Sequence, residues 1–271
     1  MARRTLGTSV LVILLTVASA GCDALMPSMC SLLGRKWFPD TMVCDLPMKK
    51  SAVASPGEAL FISATAHQAG AQGTNWRSDL EVHNLGDELG VFEIVLLEHG
   101  ADNSSPETIE LGLAAGQSLR LADVLQGEFG LDGAAALILA PSYGRIVATS
   151  RTYNLLGFGN AMGLPAGATF GQYIPALPIG NAIRSGEEGR IIQLSHSNAT
   201  DGGARANLGL VNATGAELRV KVELFNGTGD RLGVVNRTLE PFEYEQINRI
   251  YERVTGDDVA DGYAVLSTST T

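Results

Sequence analysis

The sequence predicts an all-β protein made of two tandem antiparallel, Ig-like β-sandwich domains. Three observations lead there: apolar residues in strand period from residue 58 onward, turn residues at short intervals, and a repetition of the whole pattern along the chain. Phe92, Ile94 and Leu96 alternate with Glu93 and Val95, and Val220, Val222 and Leu224 alternate with Lys221 and Glu223, as half-buried strands require. Asn84-Leu85-Gly86, Gly100-Ala101-Asp102-Asn103, Ala115-Gly116, Asn226-Gly227 and Asp261-Gly262 punctuate these runs. Only Leu121 to Gln126 and Ile247 to Val254 read as helix, one or two turns each, which argues against βαβ units.

The repeat organises the rest of the chain. Arg77-Ser78-Asp79-Leu80-Glu81-Val82-His83-Asn84 aligns with Arg205-Ala206-Asn207-Leu208-Gly209-Leu210-Val211-Asn212 at an offset of 128 residues, which carries Phe92, Ile94 and Leu96 onto Val220, Val222 and Leu224. A short deletion then brings Leu113 and Leu121 onto Leu239 and Ile247, and Asp132-Gly133 is expected on Asp261-Gly262. The resulting boundaries are 1–21 for a signal peptide, 22–57 for a tether, 58–155 for the first sandwich, 156–188 for a Gly/Pro-rich linker and 189–271 for the second sandwich. Tyr173 and Ile174 are bulky enough to dock part of that linker on a domain edge.

The copies differ at their ends. Ala135 to Leu139 is followed by a turn at Ser142-Tyr143-Gly144 and a strand from Ile146 to Tyr153, whereas Tyr263 to Leu266 is followed only by Ser267-Thr268-Ser269-Thr270-Thr271. The second sandwich is therefore expected to lack its last strand and to show an open sheet edge. Either the sequence is a fragment, or another chain supplies the strand by β-augmentation and the protein is a strand-accepting assembly subunit.

Composition bounds the partners. Of 271 residues, 45% are apolar and 18% charged, which suits packed cores and not disorder. Nineteen Lys and Arg against 29 Asp and Glu give a net charge of −10, so no nucleic-acid partner is expected, because phosphate binding needs clustered cations.

The N-terminus reads as an export signal: Arg3 and Arg4, an apolar run from Val10 to Val17 broken only by Thr16, then Ala18-Ser19-Ala20. The run is shorter than the roughly 20 residues that span a bilayer. Gly21 and Cys22 follow, and the junction resembles the lipobox of bacterial lipoproteins, which implies cleavage before Cys22 and a lipid on its thiol. Ser19 stands where that motif usually has Leu, so cleavage after Ala20, giving a secreted protein, stays open. Acylation of Cys22 would leave Cys30 and Cys44 to pair, closing a loop worth about 3 kcal/mol. Trp37 and Phe38 lie inside that loop, to pack on a domain or meet a partner. Removing residues 1–21 leaves 17 Lys and Arg against 29 Asp and Glu, so membrane attachment is expected through lipid and not through charge.

Four segments carry a wider likeness: Trp76-Arg77-Ser78-Asp79-Leu80, Ser150-Arg151-Thr152-Tyr153-Asn154, Gly171-Gln172-Tyr173-Ile174-Pro175 and Asn207-Leu208-Gly209-Leu210-Val211-Asn212. Over roughly residues 58 to 266 the chain resembles an uncharacterised family of secreted bacterial proteins with paired β-sandwich repeats. The resemblance implies an extracytoplasmic module, a closing strand that this sequence lacks, and no established catalysis.

No G-x-S-x-G, GK[ST] or H-E-x-x-H occurs, and His67, His83, His99 and His196 are isolated in sequence. His83 and His99 would need the fold to bring them together. Asp257, Asp258 and Asp261, and Asn226 with Asp230, offer oxygens for calcium without a complete loop. Asn103, Asn198, Asn212, Asn226 and Asn236 satisfy N-x-[ST], but an export signal of bacterial type makes them turn residues and not glycan acceptors. Trp76, Tyr143, Tyr153 and Tyr173 are the candidates for a sugar-binding platform. The expectation is a non-enzymatic protein with no catalytic residue, metal or cofactor, serving surface presentation or protein interaction. A polysaccharide-binding module is the alternative.

Overall fold

The structure is a computed structural model describing residues 10–18, 37–38, 43–44, 52–70, 73–155, 169–199 and 203–270. It is built almost wholly from antiparallel strands, as the alternating pattern requires. Three strands precede the sandwiches: β1 (Val10–Ala18), β2 (Trp37–Phe38) and β3 (Val43–Cys44), the last two paired with each other.

The first sandwich contains β4 (Val53–Ala54), β5 (Leu60–Ala69), β6 (Asn75–Asn84), β7 (Gly90–Glu98), β8 (Thr108–Leu113), β9 (Ser118–Leu121), β10 (Gly133–Tyr143), β11 (Ile146–Asn154), β12 (Phe170–Pro175) and β13 (Leu177–Pro178). Its outer layer runs β12-β11-β6-β9, with β4 on the same side of β11 as β12. Its inner layer runs β13-β5-β10-β7-β8. Leu80, Val82 and Ala148 of the outer layer meet Leu60, Ile62, Phe92, Ile94, Leu96, Leu137 and Leu139 of the inner one in a single core. Each of the large side chains stabilises the fold by about 1.5–3 kcal/mol through burial.

The second sandwich repeats this with β14 (Ile183–Arg184), β15 (Glu188–His196), β16 (Arg205–Asn212), β17 (Leu218–Phe225), β18 (Arg231–Leu239), β19 (Tyr244–Ile247) and β20 (Val259–Thr270). Its layers are β14-β1-β16-β19 and β15-β20-β17-β18, around Leu208, Leu210, Val220, Val222, Leu224, Leu239, Ile247 and Leu266. The repeat holds at the level of register: Leu80 faces Leu121 as Leu208 faces Ile247, and Ile94 faces Ile109 as Val222 faces Val235.

A third cluster joins the halves. Phe61, Ala64, Leu97 and Ala136 point away from the first core and meet Ala182, Val211 and Tyr244. Tyr244 is fully buried and lies edge-on to His99, with ring centroids 5.7 Å apart. Asn103 Nδ2 donates to the carbonyl of Phe242 at 3.1 Å, and Gly100 N to that of Tyr244 at 2.8 Å. The molecule is thus a stack of four sheets in which the β5-β10-β7 layer is covered on both faces.

The structure corrects several expectations. Residues 52–57, read as tether, already belong to the first sandwich, because β4 pairs with β11 and Ala54 is in the core. The described part of the expected linker is ordered into both halves: Ile174 and Ala176 enter the first core and Ile183 the second. Asp132-Gly133 does not fall on Asp261-Gly262. Leu137 opposes Leu96 and Ala264 opposes Leu224, so the offset there is 127 residues and the two Asp-Gly pairs are out of step. Helix occupies Val124–Phe129, and 3-10 turns lie at Ile179–Asn181 and Ile250–Arg253. Finally, the position of the missing strand is not open: β1 fills it.

Candidate functional site

In each sandwich the sheet that begins with the Arg77 or Arg205 strand has a strand-wide slot beside it, framed by the same local chemistry. Asn84 and Asn212, both fully buried, close one end. Asn84 Nδ2 donates to the carbonyls of Glu88, Leu113 and Ala114 at 2.7–3.1 Å, and its Oδ1 accepts from Gly86 N at 2.9 Å. Asn212 repeats this on Ala216, Leu239 and Glu240, with Thr214 N as donor at 3.0 Å. An amide is the side chain that offers two N–H donors and a carbonyl acceptor together, so no apolar residue of that size satisfies the corner. The far edge is a repeated turn. Ser55 N donates to Glu58 Oε2 at 2.8 Å, and Arg184 N to Glu187 Oε2 at 3.0 Å.

The occupants differ while the register does not. In the first sandwich β11 lies between β4 and β6, with Ile146 opposite both Ala54 and Asn84. In the second, β1 lies between β14 and β16, with Leu11 opposite both Ile183 and Asn212. Pairing then runs from Leu11 with Asn212 to Ala18 with Arg205, step for step as β11 runs along β6. The expected export signal and the expected missing strand therefore coincide. The sequence motifs give no warning of this, because an aliphatic run broken only by Thr16 suits a leader and a buried strand equally.

The outer layer of the first sandwich carries a charged cluster. Asp79, 4% exposed, accepts from Arg120 Nη2 at 2.6 Å, Asp123 N at 2.9 Å and the Tyr153 hydroxyl at 3.1 Å. Burial works to raise its carboxyl, but the Arg120, Asp123 and Tyr153 hydrogen bonds hold it below the ordinary aspartate value. Burial and the Asp79 charge push the Tyr153 phenol up. Arg77 Nε lies 3.2 Å from Asp123 Oδ2, and His67 bridges Asp123 at 2.8 Å and Asp132 at 3.1 Å. The second sandwich explains what Asp79 does. Its counterpart Asn207 accepts from Arg249 N at 3.0 Å, and Asp123 and Arg249 have φ of 49° and 52°. Both pairs pin the same left-handed backbone turn, so the carboxylate is engaged in architecture.

The remaining candidates are scattered. His83 meets Ser118 Oγ at 2.9 Å on the outer layer, while His99 lies in the joint between sandwiches. Asp258 accepts from Asn198 N at 2.7 Å, and the Asn226 and Asp230 side chains are bonded to each other and to Thr228 within one turn. Among the described residues no group of three or more His, Cys, Asp or Glu is arranged to hold a metal. Tyr153 and Tyr173 share a face of the outer layer, at cross-strand positions beside Arg151, whose guanidinium lies 4.9 Å over the Tyr153 ring. Trp76 pairs with Asn154, on the opposite strand parity, and Tyr143 sits at the far end of β10 hydrogen-bonded to Glu88. The four aromatics do not assemble into one platform. Cys22 and Cys30 lie outside the described residues, and Cys44 pairs through its backbone with Trp37. Among the described residues no helix is long and apolar enough to cross a membrane.

No family model matches the chain, and no curated protein matches it. Among solved structures it is similar to the crystal structure of Thermotoga maritima 1070, at 13% identity and a TM-score of 0.34 over 46% of this chain and 96% of that one. A likeness of that size carries no argument about this protein.

Proposed function

We propose that the chain is a non-enzymatic, extracytoplasmic protein, anchored to the cell envelope by lipid on Cys22, that binds another polypeptide through the β16 flank of its second sandwich. The observation that supports this reading is the slot itself. A sheet edge framed by Asn212 and the Arg184-Glu187 turn is completed by β1, a strand remote from β16 in sequence. Binding there needs only backbone groups: each N–H and C=O of the incoming strand finds a ladder partner, and apolar contacts add to them. The joined sandwiches provide a stiff base for presentation, since Asn103, Tyr244 and the third cluster tie them together.

The anchor is tested by feeding a labelled fatty acid to the producing cell. Label is expected on the wild-type chain, and Cys22→Ser is expected to lose it and to move the protein from the membrane to the soluble fraction. Unchanged fractionation of Cys22→Ser removes the anchor from this reading.

A further inference from the structure

The face of β6 and β9 in the first sandwich and the face of β16 and β19 in the second are equivalent in register and differ in what lies against them. In the second sandwich Val211 and Tyr244, paired across the strands, press into the cluster shared with the first sandwich. The same two positions in the first sandwich are His83 and Ser118, again paired across the strands, with Nδ1 of the one 2.9 Å from Oγ of the other. Two residues along, the pair Gly209 and Gln246 is replaced by Glu81 and Arg120. A sandwich of the same kind does not suit this face, because an apolar seam would take a carboxylate, a guanidinium and an imidazole out of water.

Here β6, β9 and β11 form an open groove of about 370 Å³ lined by Glu81, His83, Ser118, Arg120, Val147 and Thr149, a volume within the ~300–1,000 Å³ of small-ligand sites. Its polar groups are of three kinds. Arg120 only donates, and its Nη2 is held at 2.6 Å by the buried Asp79 carboxylate, which orients the guanidinium while 60% of the side chain remains in solvent. Glu81 is exposed, stands opposite both Arg120 and Thr149, and accepts. His83, Ser118 and Thr149 can do both. Among the described residues Thr149 Oγ1 has no hydrogen-bond partner although it is shielded from water, a deficit that a ligand's hydroxyl can make good. Val147, opposite His83, adds an apolar contact. A hydroxyl is the ligand group that serves all three kinds, since one oxygen donates and accepts. Charge disfavours an anion, because Asp79 and Glu81 set two carboxylates around one guanidinium. We infer that this groove binds a short neutral saccharide, with Arg120, Glu81 and Ser118 hydrogen-bonded to its hydroxyls and Val147 against its ring. The site lies in the other sandwich from the β16 flank and is independent of the polypeptide reading above.

The test titrates the isotope-labelled full chain, followed by amide NMR, with the neutral disaccharides cellobiose, maltose and diacetylchitobiose, and with a hyaluronan disaccharide as the anionic comparison. At least one neutral disaccharide is expected to shift the amides of residues 81–83, 118–120 and 147–149 and to saturate with a Kd of about 1 mM or below. The uronate is expected to bind at least about tenfold more weakly, and Glu81→Gln to narrow that gap. Arg120→Ala is expected to weaken the neutral ligand about tenfold or more. Because that substitution also unpairs Asp79, Ser118→Ala is measured beside it; it leaves the Asp79 pair intact and is expected to weaken binding about threefold. Tyr173→Ala is expected to bind as the parent does, since Tyr173 is not part of the groove lining. The inference is overturned if none of the neutral disaccharides shifts these amides, if the uronate binds as tightly, if Arg120→Ala and Ser118→Ala both bind as the parent does, or if Tyr173→Ala removes binding.

Discussion

In the first sandwich the strand beside β6 is β11, which follows β10 through a tight turn; in the second, the strand beside β16 is β1, from the far end of the chain. The frames around them are the same, down to the four hydrogen bonds of Asn84 and of Asn212. Register is therefore set by the frame, and connectivity is free to vary. The occupants differ in composition: β11 carries Thr149, Arg151 and Tyr153 in alternation with residues of the core, whereas β1 is an aliphatic run broken only by Thr16.

The sharpest way to break the comparison is to unlock the two halves. Tyr244→Ala removes a fully buried ring from the shared cluster and is expected to cost about 4 kcal/mol, giving two melting transitions by calorimetry where the parent shows one. A single transition with a small shift would mean the sandwiches are not coupled there. Next, Asn84→Ala and Asn212→Ala each remove the Nδ2 donor from three carbonyls, of which Ala114 keeps Gln117 N and Glu240 keeps Glu243 N. Both are expected to destabilise by about 3 kcal/mol in urea unfolding. Unequal values would show that the equal frames carry unequal load.

Asp79→Asn is expected to cost about 1–2 kcal/mol near neutral pH, since Asn keeps the Asp123 contact and loses the ionic one to Arg120. Its pH dependence is the sharper test. The folded-state value of Asp79 is depressed, so its contribution is present above the ordinary value of 3.8 and disappears as pH falls through the folded-state value. Acid titration of the first sandwich should flatten in Asp79→Asn, which then resembles the second sandwich with Asn207. The smallest effect belongs to Tyr173→Ala. Tyr173 is 59% exposed, so stability should change by about 0.5 kcal/mol or less. Glycan-array binding abolished by this substitution would revive a polysaccharide ligand.

The repeat was legible because a period of two survives in a strand whatever its partner: Leu80 and Val82, and Leu208 and Leu210, stand out in sequence and lie in the cores. The asparagines were visible as turn residues, but their triple donation to carbonyls from two other segments depends on distant pairing. The joint was hidden for a physical reason. Phe61, Leu97, Ala136 and Val211 occupy the parity that faces solvent in an isolated sandwich, and nothing local distinguishes a covered outer face from an exposed apolar one. In the sequence Asp79 stands out only as part of a repeated segment. The exchange of Asp for Asn between copies was the available clue that one turn is pinned with a charge and the other without.

The doubly covered β5-β10-β7 layer has a practical corollary for handling this molecule. Cutting the peptide link between the halves leaves the adhesive seam of Phe61, Leu97, Val211 and Tyr244 intact, so the fragments should co-elute as one particle under native conditions and separate only in denaturant.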